Sequence, residues 1–334
     1  MLGAAVLVGL GAAAARLWFP AAREPGYRFV LEWGGTGSGP GEFSQPIGIA
    51  IAGDEVFVSD AGNDRIQVFD RHGRFLRSFG QRGHGAGELA RPMHMDFRGG
   101  RLYVAEYLND RVQMFSPQGV PLGSLGSSGT GPGQLDAPGG VAVDAQGRLY
   151  VADFYNQRVQ LLDADGNFLL QHGTTGEKGV AAGEFNYPTD VALLPDGTLL
   201  VADAYNDRIQ AFSADGRFLR KWGGPLAINI PGGSNGWFRI ATGVHVAPDG
   251  SVFVADFQNH RIQKFSAAGG FLSTTGTHGS GPGRLERPTD MAVDLDGNLY
   301  VVDFGNDRVQ KFRPGAAEPT TPEPVATPSG VPPV

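Results

Sequence analysis

The chain has 334 residues, 41% of them hydrophobic, with 52 Gly, 23 Pro and no Cys. A formal net charge of -7 argues against nucleic acid as a partner, because a phosphate-covering surface needs dense Lys and Arg. Without cysteine there is no disulfide, thiolate metal site or thiol nucleophile, and a composition this rich in turn formers yet this apolar is that of an all-β protein rather than a disordered one.

In chain order, "MLGAAVLVGLGAAAARLWFP" carries no charged side chain before Arg16. Leu2 to Ala15 resembles the apolar region of an export signal or a short membrane anchor, although the Lys or Arg that usually opens a signal is missing. Residues 1–24 are therefore expected to be a leader that makes the protein extracytoplasmic, either secreted or membrane-anchored. "YRFVLEWGG" from Tyr27 then reads as one strand with no partner near it in sequence.

Six related units follow. "VSDAGNDRIQ" from Val58 returns as "VAEYLNDRVQ", "VADFYNQRVQ", "VADAYNDRIQ", "VADFQNHRIQ" and "VVDFGNDRVQ", and its Arg recurs every 46 to 53 residues. In the cleanest unit, "PGGVAVDAQG", "RLYVAD", "RVQLLD" and "NFLLQHG" each alternate or are β-branched, and Gly, Asp, Asn or Pro separates them. Four short antiparallel strands at this period make one blade of a β-propeller. The sixth unit stops after its third strand, "RVQKFRPG", whereas Tyr27 to Trp33 aligns with the fourth strands of the others. It is expected to complete the last blade and close the ring, which removes the open sheet edges. Residues 25–313 are thus read as one all-β, six-bladed propeller of four-stranded antiparallel blades. Residues 314–334, rich in Pro and Thr, are read as a disordered tail.

Each unit carries an acid and an Arg in fixed register: Asp60 and Arg65, Glu106 and Arg111, Asp153 and Arg158, Asp203 and Arg208, Asp256 and Arg261, Asp303 and Arg308. Chemistry needs its residues once, so a pair written six times is expected to build the fold. The Asn between them suits a tight turn, since Asn tolerates left-handed backbone. Glycine-rich stretches such as "GTGSGPGEFSQP" imitate a dinucleotide fingerprint, but they lead into another strand rather than a helix and read as linkers between blades.

With "G-x-G-P-G-x-[FL]-x-x-P", "[GD]-[IVM]-A-V-D-x-x-G-x-[LV]-[YF]-V-A-D" and "N-x-R-[IV]-Q-x-F" in place, residues 27–313 resemble the NHL-repeat family of six-bladed β-propellers. The resemblance implies the fold, while the family's protein-binding, RNA-binding, sensory and lyase members leave the activity open. Amidating lyases similar to this fold place zinc-binding His just after the Pro of several first strands. The positions here are Ile47, Met93, Gly139, Thr189, Thr242 and Thr289, none with an imidazole.

One residue further on, the units read Gly48, His94, Gly140, Asp190, Gly243 and Asp290. His94, Asp190 and Asp290 fall on alternate blades, so they can converge on the channel and hold a divalent cation. The other reading makes them polar lining that bonds backbone at the strand start. Asp96 and His245 replace a small Ala of the other units, to line the channel or to fill a packing gap. Tyr107, Phe154, Tyr155, Tyr205, Phe257 and Phe304 occupy the turns between acid and Asn, and a longer fifth linker adds Trp237 and Phe238. These rings are expected either to pack under neighbouring loops or to rim one mouth of the channel.

No G-x-S-x-G or HExxH motif is present. The expectation is an extracytoplasmic module that binds a protein, peptide or glycan through its loop face, with the membrane reached through the leader. The alternative is a metal-dependent lyase, lactonase or other hydrolase with its site in the channel. No cofactor beyond that divalent metal is implied.

Overall fold

Each repeat unit folds as a four-stranded antiparallel sheet, and six such sheets stand in a ring in the structure, a computed structural model that describes residues 19–316. The leader through residue 18 and the tail from residue 317 lie outside the described residues. Among those described, no helix is long and apolar enough to cross a membrane. The innermost strands are β2 (Pro46–Ala52), β6 (Pro92–Arg98), β10 (Pro138–Val143), β14 (Pro188–Leu193), β18 (Ala241–Val246) and β22 (Asp290–Val293). Each packs against the next, and β22 returns to β2. The last sheet is completed by β1 (Arg28–Gly34), which pairs antiparallel with β24 (Arg308–Arg313), joining the two ends of the fold as the strand count requires.

Burial follows position in the blade. An inner strand such as β10 is buried along its whole length, because a neighbouring blade covers each of its faces, and its sequence is correspondingly apolar on both sides. The outermost β1 alternates between exposed and half-buried residues. The core is six apolar clusters, each wedged between adjacent sheets: Ile49, Val56, Val58 and Phe69 of the first blade pack with Ala292, Tyr300 and Val302 of the sixth.

The repeated polar residues clamp the loop that enters each blade. In the fourth blade Arg208 donates from Nε to Asp203 at 2.6 Å, and its remaining nitrogens bond the carbonyls of Val180, Ala181, Glu184 and Ala227. Asn206 bridges the Gly179 carbonyl to Asp203, and Gln210 ties Gly183 N–H, the Glu184 carbonyl and Asp203 together. The pairing recurs at 2.6 to 2.7 Å in all six blades. A glycine-rich linker is thereby held by charge-assisted bonds anchored on an acid that is fully buried in every blade.

The left-handed residue of the turn is the one after the Asn, not the Asn itself. Asp64, Asp110, Gln157, Asp207, His260 and Asp307 have φ between 48° and 56°. The Asn side chain is occupied in the clamp. Each left-handed residue then accepts the N–H of Arg91, Ala137, Tyr187, Ile240, Arg287 or Gln45 at the entrance to the following blade, at 2.7 to 3.1 Å. Left-handed backbone costs a residue with a Cβ about 1–2 kcal/mol, and a latch between blades at every junction offsets it.

Phe19 to Gly26 lies along the fifth blade, with Arg23 N–H bonded to the Leu272 carbonyl at 2.7 Å and Glu24 paired with Lys264 at 2.7 Å.

Candidate functional site

At one level of the ring the six inner strands carry Gly48, His94, Gly140, Asp190, Gly243 and Asp290, and His94, Asp190 and Asp290 converge. A one-residue register shift against the second strand, between Pro188 and Asp190 in β14 and at matching places in β2, β6, β10 and β18, re-aims the side chain at this level. Space explains the alternation. A Cβ on Gly140 would sit 2.3 Å from Asp190 Oδ1, and one on Gly48 2.4 Å from the Met93 carbonyl oxygen. Three side chains therefore fill the ring, and they are the three that the sequence singles out.

His94 Nδ1 lies 3.2 Å from Asp290 Oδ2 and 3.7 Å from Asp190 Oδ2, with all three residues buried. Each carboxylate also holds the next blade: Asp290 Oδ2 accepts Ile49 N–H at 2.9 Å, and Asp190 Oδ2 accepts Val244 N–H at 2.9 Å. The histidine has no such partner, for its buried Nδ1 is aligned for a hydrogen bond to neither carboxylate. Burial opposes the charged imidazole, but the two acids outweigh it and raise His94 to about 9. Burial pushes Asp190 up to about 7, with the Asp290 charge adding to it and His94 opposing. Three ligands about 2.1 Å from a divalent ion stand roughly 3.0–3.4 Å apart in octahedral or tetrahedral geometry, close to the two separations seen here. One imidazole and two carboxylates suit zinc, manganese or ferrous iron.

One residue earlier, hydroxyls tie neighbouring blades. Thr189 donates to the Thr242 carbonyl at 2.7 Å, Thr242 to Thr289 at 3.0 Å, and Thr289 to Ile47 at 2.8 Å. A cavity of about 690 Å³ is lined by Asp190 and Asp290 and by the first-hairpin turns at Asp144–Gln146 and Pro195–Gly197. Asp96 and His245 line its wall, and both also bond backbone: Val143 N–H donates to Asp96 at 2.7 Å, and Val293 N–H to His245 Nε2 at 3.2 Å. Burial raises Asp96 to about 6 and holds His245 below its usual value.

The clamped turns lie on the face of the interblade loops. Tyr107, Phe154, Tyr155 and Tyr205 form one continuous surface there, joined by Tyr187, which sequence reasoning missed. Phe154 stacks on Tyr187 at 4.7 Å and 26°, while Tyr155 and Tyr205 meet Tyr187 nearly edge-on at 6.0 and 5.1 Å. Tyr107 and Tyr155 share a hydroxyl hydrogen bond of 2.7 Å, and Lys178 Nζ sits 4.0 Å over the Tyr187 ring. Tyr155 and Tyr205 are 46% and 47% exposed. Phe257 and Phe304 form a separate pair 6.2 Å apart on the fifth and sixth blades.

Of two further residues assigned to this face, one is not available to a partner and the other is half-buried. Phe238 is fully buried in the core cluster with Phe265 and Phe271, in the slot that Phe43, Leu89, Leu135, Phe185 and Leu285 fill elsewhere. The ring of Trp237 is covered by Phe19, stacked at 5.5 Å and 17°.

The model of the NHL repeat matches residues 43–69, 135–160, 185–212, 238–265 and 285–312, one match in each of five blades. No curated protein matches the chain by sequence. Among solved structures, a streptogramin B lyase is similar at 18% identity over 86% of this chain and 88% of that one, with a TM-score of 0.58. A catalytically inactive virginiamycin B lyase from Staphylococcus aureus with quinupristin is similar at 15% identity over 81% and 84%, with a TM-score of 0.55. A protein of unknown function from Bacteroides thetaiotaomicron is similar at 16% identity over 85% and 76%, with a TM-score of 0.65. Likeness at these identities is likeness of fold. The chain is an NHL-repeat protein folded as a six-bladed β-propeller.

Proposed function

We propose that this propeller is an extracytoplasmic, membrane-tethered binding module whose loop face captures an extended peptide segment of a partner protein. The observation that supports it is the five-ring surface of Tyr107, Phe154, Tyr155, Tyr187 and Tyr205, held on loops that the clamps make rigid. Most of these rings meet at 59° to 81° rather than lying coplanar. Crossed rings form clefts for proline and apolar side chains, whereas a sugar stacks on a flat open face. Tyrosine supplies contact area at low conformational cost, and a preformed site loses less entropy on association. Selection from a random peptide library, with Tyr155→Ala/Tyr205→Ala as counter-selection and a glycan array in parallel, tests the reading. Enriched peptides that the double variant releases support it; signal confined to glycans, or peptides that the variant retains, overturns it.

A second reading rests on the unaligned Nδ1 of His94 between two carboxylates that line a cavity: a divalent metal centre serving a lyase or hydrolase. His94, Asp190 and Asp290 would hold the ion, which would polarise a substrate oxygen or activate water. Retention of close to one equivalent of metal after exhaustive dialysis, lost in Asp290→Ala, supports this reading. No retention and no uptake on titration removes it.

A further inference from the structure

The linker into the fifth blade is the longest of the six, and it is unlike the rest. From Gly223 to Phe238 it contains no charged side chain. Leu226 is 73% exposed, and Ile228 and Ile230 are each 41% exposed. Leu226, Ala227 and Asn229 are all left-handed, with φ of 56°, 48° and 64°. Such backbone persists in residues with a Cβ only where the surroundings enforce it. Here Arg208 holds the Ala227 carbonyl at 3.0 Å, and Gly224 N–H bonds the Gly236 carbonyl at 3.1 Å. The linker folds over Trp237, with Gly224 and Gly232 against the indole, and the other stacking partner of that ring is Phe19, itself 55% exposed. Asn235 Nδ2 donates to the Pro20 carbonyl at 3.1 Å, fixing the incoming chain to the same loop.

We propose that Leu226, Ile228, Ile230 and Phe19 form a docking patch for a lipid bilayer, seated in the headgroup region beside the point where the leader joins the fold. This rests on the reading that Leu2–Ala15 tethers the chain. Chain length identifies the occupant. Three residues lie between Ala15 and Phe19, so Phe19 lies within about 14 Å of the end of the apolar segment even if the connection is fully extended. A headgroup layer is about 6 Å deep on each side of the hydrocarbon. An uncharged aliphatic loop held that close to a bilayer gains by partial insertion, as interfacial segments do, and the Phe19–Trp237 pair is of the aromatic kind that settles at this depth. The strap of residues 19–26, bonded along the fifth blade, fixes where the chain enters the propeller.

The chain has no native cysteine, so a single reporter can be placed in the full-length protein. Ile228→Cys, labelled with a polarity-sensitive fluorophore and reconstituted in phosphatidylcholine vesicles, should show blue-shifted emission and lose most of it to lipid-borne nitroxides. Leu122→Cys, on the second blade across the ring and 48% exposed, should report water. Adding Leu226→Asp and Ile230→Asp to the labelled chain should abolish the shift while the chain still floats with vesicles and keeps its β circular dichroism. A 228 probe that stays in water on a vesicle-bound chain overturns the patch and spares the tether. Failure of the full chain to float overturns both. A blue shift without lipid, together with dimeric sedimentation, assigns the patch to a second copy and overturns the proposal.

Discussion

Replacing Arg208 by Met tests whether the repeated acid and Arg are mechanical parts. Arg208 and Asp203 have fully buried side chains. Burial raises the Asp203 carboxyl, and the guanidinium is the first influence that lowers it. Removing the cation leaves Asp203 in a dry site and strands the Ala227 carbonyl, while Val180 keeps Lys221 at 3.4 Å, Ala181 keeps the Glu184 N–H at 3.3 Å and the Glu184 carbonyl keeps Gln210. Breaking a buried pair by deleting one partner costs about 3–5 kcal/mol, a large part of the total stability of about 5–15 kcal/mol that a domain commonly has. At about 2 °C per kcal/mol for a domain of this size, the melting midpoint should fall by roughly 6–10 °C. Arg65 bonds Asp60 and two loop carbonyls, Gly39 and Glu42, where Arg208 bonds four, and its side chain is 16% exposed, so water can reach those carbonyls and Arg65→Met should cost less. Scanning calorimetry of both variants decides. A fall of under about 2 °C for Arg208→Met, or a larger loss for Arg65→Met, refutes the clamp.

Gly140→Ala should destabilise the propeller and displace Asp190, because its Cβ would lie 2.3 Å from Oδ1 and 2.9 Å from Cα of that residue; Gly281→Ala, likewise free of left-handed backbone but with its nearest neighbour 3.8 Å away, separates the steric effect from the general effect of exchanging Gly for Ala. Burial against Phe212, at a ring separation of 4.4 Å, pushes His172 down to about 4. A folded value below the unfolded one means the contribution is complete above about pH 6.5 and is lost as pH falls towards 4, at most about 3 kcal/mol; denaturation midpoints from pH 7 to 4 should flatten in His172→Leu. If the channel holds a divalent ion, His94→Ala should abolish its retention in elemental analysis, whereas Tyr155→Ala should leave it intact.

The repeat, the four strands per blade and the closure by Tyr27–Trp33 were legible because turn chemistry punctuates each unit and one strand lacks a neighbour. The convergence of His94, Asp190 and Asp290 followed from their register on alternate blades. That the two carboxylates bond backbone was one of the two readings, but that each bond crosses to the next blade was not legible, because a one-residue bulge sets the direction of each side chain and sequence alignment carries no sign of it. Phe238 was misplaced on the surface although it stands at the apolar position of the linker motif, the one signal that marked it as core. Tyr187 was overlooked because its slot holds Gln, Arg, Ala or Ile in other blades and is fixed by backbone rather than side chain. The covering of Trp237 depends on Phe19, which lies in a segment that reads as leader.

The most direct test of the loop-face reading is the affinity of one selected peptide for three forms of the protein: unaltered, Tyr155→Ala/Tyr205→Ala, and His94→Ala. Truncating aromatic anchors at a binding centre costs about 2 kcal/mol or more, so the double tyrosine variant should bind at least about 30-fold more weakly while the channel variant binds as before. Undiminished binding by the tyrosine variant, with loss in His94→Ala, would contradict the account and move the site into the channel.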